Sequence, residues 1–296
     1  MKGKPMERNY SNAERAEVLT QALPHIQKYT GKIVVIKYGG NAMVNPGIRQ
    51  QVMEDMVLLR LVGVKVVLVH GGGPEINRLM NALGKQPEFV NGLRVTDQET
   101  MDIVQMVLAG KINKTLVGLI GARGGRAIGL SGLDDKLIEA EMKDPALGYV
   151  GEVTHVHVES VLDLLDRGYI PVISTIGCGH DGTVYNINGD TAAACLAGAL
   201  HAERLIMMTD VAGILQNPKD PTTLIPEVSV EEAQEMLASG FLSGGMIPKV
   251  ECCIRAIREG VSRVIIMDGT VPHAILMELL THEGAGTMVG KGHTDA

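Results

Sequence analysis

Short runs of branched apolar residues, each breaking into glycine or a polar pair, alternate along this chain with segments whose apolar positions recur every three or four residues. The runs read as strands of a sheet covered on both faces, and the periodic segments as amphipathic helices packed on it. Ile33 to Tyr38, Val64 to Val69, Ile170 to Ile176, Arg204 to Met208 and Arg263 to Met267 have the first form. Asn45-Pro46 opens a helix to about Leu61 with Val52, Met56 and Leu59 on its buried stripe. Thr96 and Glu99 stand at capping-box spacing before a helix running toward Gly118, and an alanine-rich helix spans Thr191 to Leu200. Ser229 to Glu232 caps a short helix after the proline-rich loop 217–226, and Ser243 to Lys249 leads into a helix through Ile257. Gly151 to Val158 alternates as a strand. Strand and helix in this order predict an α/β fold, a three-layer αβα sandwich on a mostly parallel sheet. Ahead of it, Ser11 and Glu14 form a capping box, and Val18, Leu19, Ala22, Leu23 and Ile26 recur at helical spacing, which predicts a helical arm outside the α/β pattern. Its stripe either folds back on its own domain or docks on another subunit.

The 296 residues, 45% of them hydrophobic, suffice for one large domain or two lobes. A net charge of −7 argues against a sequence-independent grip on nucleic acid or an anionic membrane, and leaves a small molecule as the expected partner. No eighteen consecutive residues are apolar, and Glu7, Glu14 and Glu17 suit neither a signal peptide nor a transit sequence, so a soluble, cytoplasmic protein is expected. The four cysteines form no C-x-x-C pair and read as reduced structural thiols.

Candidate chemistry collects where strands end. The first run closes on Lys37-Tyr38-Gly39-Gly40, and the second on His70-Gly71-Gly72-Gly73-Pro74 ahead of a helix. Glycines let backbone approach a bulky anion, and a helix start offers unpaired N–H groups to it. Arg94, in a loop, carries a fork suited to a carboxylate. Asp190 follows Asn186-Ile187-Asn188-Gly189 and either caps the next helix or holds a carboxylate between two lobes. Thr209-Asp210 ends another strand, and Lys249 is a second lysine near a glycine turn. Two lysines, two glycine turns and a carboxylate, with no histidine-activated nucleophile, suit the stabilisation of spread negative charge, as phosphoryl transfer requires. A carboxylate acceptor is already an anion at neutral pH and needs no general base.

Other patterns carry less. Gly177 to Gly182 matches G-x-G-x-x-G but is followed by strand rather than helix, so it is no dinucleotide fingerprint. Residues 286–291 lack the spacing of a Walker loop. His155 and His157 share a strand face without a third ligand, so no metal site is expected.

Taken together, Ile-Lys-Tyr-Gly-Gly at 36–40, His-Gly-Gly-Gly-Pro at 70–74, Asn-Gly-Leu-Arg-Val-Thr at 91–96, Asn186 to Asp190, Thr209-Asp210 and Gly245-Met246-Ile247-Pro248-Lys249 resemble the amino acid kinase family, from about residue 31 to the end. Single motifs are shared with its aspartate, glutamate, carbamate and uridylate kinases, while the second and third together resemble its acetylglutamate kinase branch. The resemblance implies phosphorylation of the γ-carboxylate of N-acetyl-L-glutamate by ATP, with Mg2+ held through the nucleotide phosphates, in arginine biosynthesis. It implies that Lys37, Lys249, Asp190, Gly40 and Gly72 form the catalytic set. Gly72, Gly73, Arg94, Asn186 and Asn188 would hold the acceptor, and Lys37, Gly39, Thr209, Asp210, Gly213, Met246 and Lys249 the nucleotide. The implied division is an arm (1–30), an acceptor-binding and dimerising lobe (31–198) and an ATP-binding lobe (199–296). Gly189 departs from the family pattern, where alanine is expected. The arm and the ending Glu283-Gly284-Ala285-Gly286-Thr287 resemble members that form arginine-inhibited homohexamers, trimers of dimers, which puts L-arginine near Glu283, Gly284 and Gly286 and leaves room for a nitrogen-signalling protein partner. The alternatives are a kinase of an acetylaminoadipate-type acid and a non-catalytic arginine sensor; intact Lys37, Asp190 and Lys249 speak against the sensor.

Overall fold

The computed structural model describes residues 11–217 and 220–292. The first ten residues of the expected arm, two of the 217–226 loop and the last four of the chain lie outside the described residues.

Eight strands form one sheet in the order Glu227–Ser229, Gly286–Gly290, Arg263–Asp268, Arg204–Thr209, Ile33–Tyr38, Lys65–His70, Ile170–Ser174, Ala127–Ser131. The six from Arg263–Asp268 onward are mutually parallel, and the two at the other edge run against them. Strand residues alternate between two separate apolar cores, because successive side chains leave a strand on opposite faces. Val35, Val67, Leu205 and Met207 enter one core with helices Glu159–Asp166, Gly189–Ala199, Val230–Ala238 and Met246–Arg258. Val34, Ile36, Leu68, Ile206 and Met208 enter the other with Pro46–Leu61, Gly73–Ala82, Ala274–Leu280 and the long helix from Gln98. The three-layer sandwich expected from the sequence is the fold observed. Each fully buried Val, Ile or Leu contributes roughly 1.5–3 kcal/mol, so the double covering holds the sheet rigidly. Outside it, strands Ile138–Met142, Val150–Val156, Ile176–Cys178 and Val184–Ile187 close into a small barrel, and Phe89–Val90 and Leu93–Arg94 pair as a hairpin.

Three local expectations need correction. The arm is two helices, Asn12–Gln21 and Leu23–Tyr29, because Pro24 lacks the N–H that would continue the first. Its Ser11–Glu14 capping box is present, and Val18 and Leu19 are 59% and 73% exposed. The next helix is capped by Asp97, whose carboxylate accepts from the Thr100 N–H at 2.8 Å, and not by Thr96, which turns inward and donates to the Arg94 carbonyl at 2.8 Å. That helix continues past Gly118 to Gly121, through a π-helical stretch at Met106–Ile112. Its 24 residues have the length and apolar composition of a membrane span, yet Met101, Val104, Leu108, Leu116 and Ile120 are buried in the protein core.

Candidate active site

Ile33–Tyr38 lies between Lys65–His70, the next sheet strand in sequence, and Arg204–Thr209, contributed by the later part of the chain. Such a reversal of strand order opens a crevice beyond the strands' carboxyl ends. Lys37, at the end of this strand, stands in the crevice. Gly39 lies tight against the lysine, since a Cβ there would lie 3.2 Å from Lys37 Nζ, and a Cβ at Gly189 would touch Cε at 3.4 Å. Gly40, with φ +61°, turns the chain into a short 3-10 helix in a conformation that disfavours side chains. At Gly72 the constraint is space: a Cβ would come within 2.3 Å of Ile112 Cδ1 and 2.7 Å of Leu108 Cδ2. Glycine therefore brings the Gly73–Ala82 helix start against the crevice.

Asp190 arrives from the opposite face. Helix Gly189–Ala199 buries Ala192, Ala193, Ala194 and Ala197 fully, and these small side chains let it pack close beneath the strands. Its cap is Asn188, whose side-chain oxygen accepts from the N–H groups of Asp190 (2.9 Å) and Thr191 (3.1 Å). The Asp190 carboxylate is thus released from capping and accepts Lys249 Nζ through Oδ2 at 2.8 Å, with Lys37 Nζ paired to Oδ1 at 2.9 Å. Burial pushes the Asp190 carboxyl up, but the Lys37 and Lys249 ammonium groups overcome that and hold it at about 2. The positive helix end acts in the same direction. Asn188, expected among the acceptor-binding residues, spends its side-chain oxygen on the cap, although the residue still lines the crevice.

Lys37 fronts a cleft of about 200 Å3 reached by Gly39, Gly40, Gly72, Gly73, Asn186 and Arg94. Arg94 is not in a loop but ends the second strand of the hairpin, 7% exposed. Its guanidinium donates to Asn77 Oδ1 at 2.5 Å and lies 4.7 Å from the Phe89 ring centre. No carboxylate among the described residues pairs with it, so it can receive one from a ligand. Asn186 donates to Thr96 Oγ1 at 3.2 Å beside it. On the far side of Asp190, Lys249 fronts a second cavity of about 300 Å3 with Thr209, Asp210, Gly213 and Met246. The residues expected at the two sites are therefore brought into two adjoining cavities, with the Lys37–Asp190–Lys249 bridge between them. Sequence reading missed Phe89, Phe241 and Leu215, which only the folded hairpin and loops carry to the cavities, and Asn77, which the Gly73–Ala82 helix brings to the Arg94 guanidinium.

Glu283, Gly284 and Gly286 lie elsewhere. Gly286 begins an internal strand, where a Cβ would meet the Ile266 carbonyl at 2.2 Å, so packing alone requires glycine there. Just before this segment His282 contacts His25 of the arm, ring centres 4.6 Å apart. The His155 and His157 rings are 4.5 Å apart, and no group of three metal-ligating side chains occurs among the described residues.

Gly189→Ala tests the departure noted in the sequence. The added methyl would reach the Lys37 stem at ordinary contact distance, and Gly189 has no positive φ to forbid it. Urea denaturation is expected to show a gain of about 0.4–1 kcal/mol with kcat retained. A loss of stability would show that the site needs the gap.

Two ammonium groups sharing one carboxylate between two cavities concentrate positive charge where the spread negative charge of a transferred anionic group can be stabilised. The chain belongs to the amino acid kinase family, whose model matches residues 32–268. Within it, the chain is 51% identical over 279 residues to the acetylglutamate kinase of Caldanaerobacter subterraneus subsp. tengcongensis, covering 94% of this chain and 93% of that one. Among solved structures it is similar to the N-acetylglutamate synthase of Neisseria gonorrhoeae complexed with coenzyme A and N-acetyl-glutamate. The TM-score is 0.83 at 26% identity, over 94% of this chain and 64% of the synthase. The carbamate kinase of Giardia lamblia bound to AMP-PNP shares the fold, with a TM-score of 0.63 at 18% identity over 88% of this chain and 99% of that one.

Proposed function

We propose that the chain transfers the γ-phosphoryl group of ATP to the γ-carboxylate of N-acetyl-L-glutamate, within arginine biosynthesis. The observation that carries this reading is the Lys37–Asp190–Lys249 bridge between a cleft whose Arg94 meets no carboxylate among the described residues and a second, partly apolar cavity. Arg94 would take the acceptor's α-carboxylate, with Gly72, Gly73, Asn186 and Asn188 around the rest of it. Thr209, Asp210, Gly213 and Met246 would surround the nucleotide, while Gly39 leaves room for its phosphates beside Lys37. Lys37 and Lys249 would face the phosphoryl oxygens from either side, and Gly40 and Gly72 would donate backbone N–H groups to them. Asp190 holds both lysines at fixed separation and takes no proton. Because Asp190 is committed to two cations, Mg2+ would be held by nucleotide phosphate oxygens, where it supplies further charge neutralisation. In this reading residues 31–198 form the acceptor lobe and 199–296 the ATP lobe of a cytoplasmic enzyme.

Acyl phosphate trapped with hydroxylamine is the test. Product from N-acetylglutamate and MgATP, with little from glutamate, aspartate or N-acetylaminoadipate, is the expected result. Preference for the longer acid would move the substrate, and arginine binding without ADP formation would favour a sensor.

Regulation by L-arginine and assembly into a homohexamer belong to the same proposal. They are supported by the exposed Val18 and Leu19 stripe and by the contact between the arm and the segment before Glu283. Deleting residues 1–28 is expected to yield smaller assemblies in light scattering and to abolish arginine inhibition. An intact arginine response in the deleted protein would remove the arm from regulation.

A further inference from the structure

Behind Gly72, on the side away from the phosphoryl site, lies a cavity of about 440 Å3 that the proposed reaction does not use. Its walls are the Met43-Val44 turn, the first turns of helices Pro46–Leu61 and Gly73–Ala82, and the long helix at Lys111 to Leu116. Three cations and one carboxylate face it. Arg78 and Lys111 both pair with Glu75, and these two contacts hold the Glu75 carboxyl at about 2. Arg49 lines the same cavity and has no carboxylate partner among the described residues, and most of the wall surface is apolar. The volume falls in the range of small-molecule sites.

We propose that this cavity binds a small aliphatic carboxylic acid, its carboxylate on the Arg49 fork and its chain against Val44, Ile112 and Leu116. The charge balance decides the polarity of the ligand: one carboxylate is already shared by two cations, and the third cation awaits an anion. The wall decides the rest, because a bare inorganic anion would leave the aliphatic surface wet. Occupancy would be felt at the reaction centre, since Ile112 fills the space in which a Gly72 side chain would stand. The inference does not depend on which acceptor the enzyme phosphorylates.

The test uses the full chain, with 4-methylpentanoate as probe and 4-methylpentanol and inorganic phosphate as controls, followed by the Ile112 and Met43 methyl signals in NMR titrations. Saturable shifts with 4-methylpentanoate, at least about tenfold weaker with either control and in Arg49→Met, are expected, as loss of a charge-assisted contact implies. Leu116→Phe, which fills the cavity, should block binding while leaving Arg49 in place. Equal binding by Arg49→Met, equal binding of the alcohol, or shifts that follow protein concentration alone would overturn the proposal. The last outcome would mean that a second copy of the chain covers the cavity.

Discussion

Lys37→Ala is expected to lower kcat by about 10²–10³, with KM for both substrates changed only a few-fold. The lysine sits near the end of a largely buried strand with its ammonium 2.9 Å from Asp190, and when alanine removes this positioned charge Asp190 still keeps Lys249 as its partner. A charge that serves the transferring group acts on the transition state more than on bound substrates, and losing one such preorganised donor costs roughly 2.7–4 kcal/mol. Lys249→Ala should behave alike. Steady-state kinetics with each substrate varied decide the matter: a normal kcat with a large rise in KM would make these lysines binding residues only.

Asp190→Asn is expected to be the more damaging to the fold. It leaves two ammonium groups facing each other across a site where the carboxylate side chain is 12% exposed. Breaking one partner out of a buried ionic cluster costs about 3–5 kcal/mol. Acid adds a second readout. The folded carboxyl is held at about 2, below its ordinary 3.8, so its stabilisation is complete above about pH 4 and disappears as pH falls toward 2. Denaturant midpoints measured down that range should fall for the native chain and fall less steeply for the asparagine variant. Parallel slopes would mean that other carboxylates govern acid unfolding.

The contrast between Asp190 and Thr96 explains how far the sequence could be read. Buried runs ending in glycine marked the central strands, since covering on both faces forces a local composition, and the crevice lay where those strands ended. Lys37 and Gly72 were visible on that ground, and Asp190 and Lys249 through the polar and glycine turns that open their helices. Capping was not resolved, because Thr96 and Asp97, or Asn188 and Asp190, are near neighbours of equal capping chemistry, and tertiary demands choose between them. Asp97 caps because Thr96 is needed inside, beside Asn186. The barrel formed by residues 138–187 was equally hidden, as its closure depends on pairings such as Glu139 with Cys178 that no local pattern encodes. Arg49 gave no signal at all, since the role proposed for it rests on its place in a folded cavity with no carboxylate partner among the described residues.

The strand carrying Lys37 is hydrogen-bonded along both edges, on one side to the strand ending at His70 and on the other to the strand ending at Thr209. Lys249 rides instead on a helix entered through a loop with left-handed glycines at both ends, Gly240 (φ +72°) and Gly244 (φ +55°). Hydrogen exchange is therefore expected to leave the amides of Val34 to Lys37 protected throughout, while those of the 240–245 loop exchange faster and slow when nucleotide fills the cavity that Phe241, Ser243 and Gly245 line.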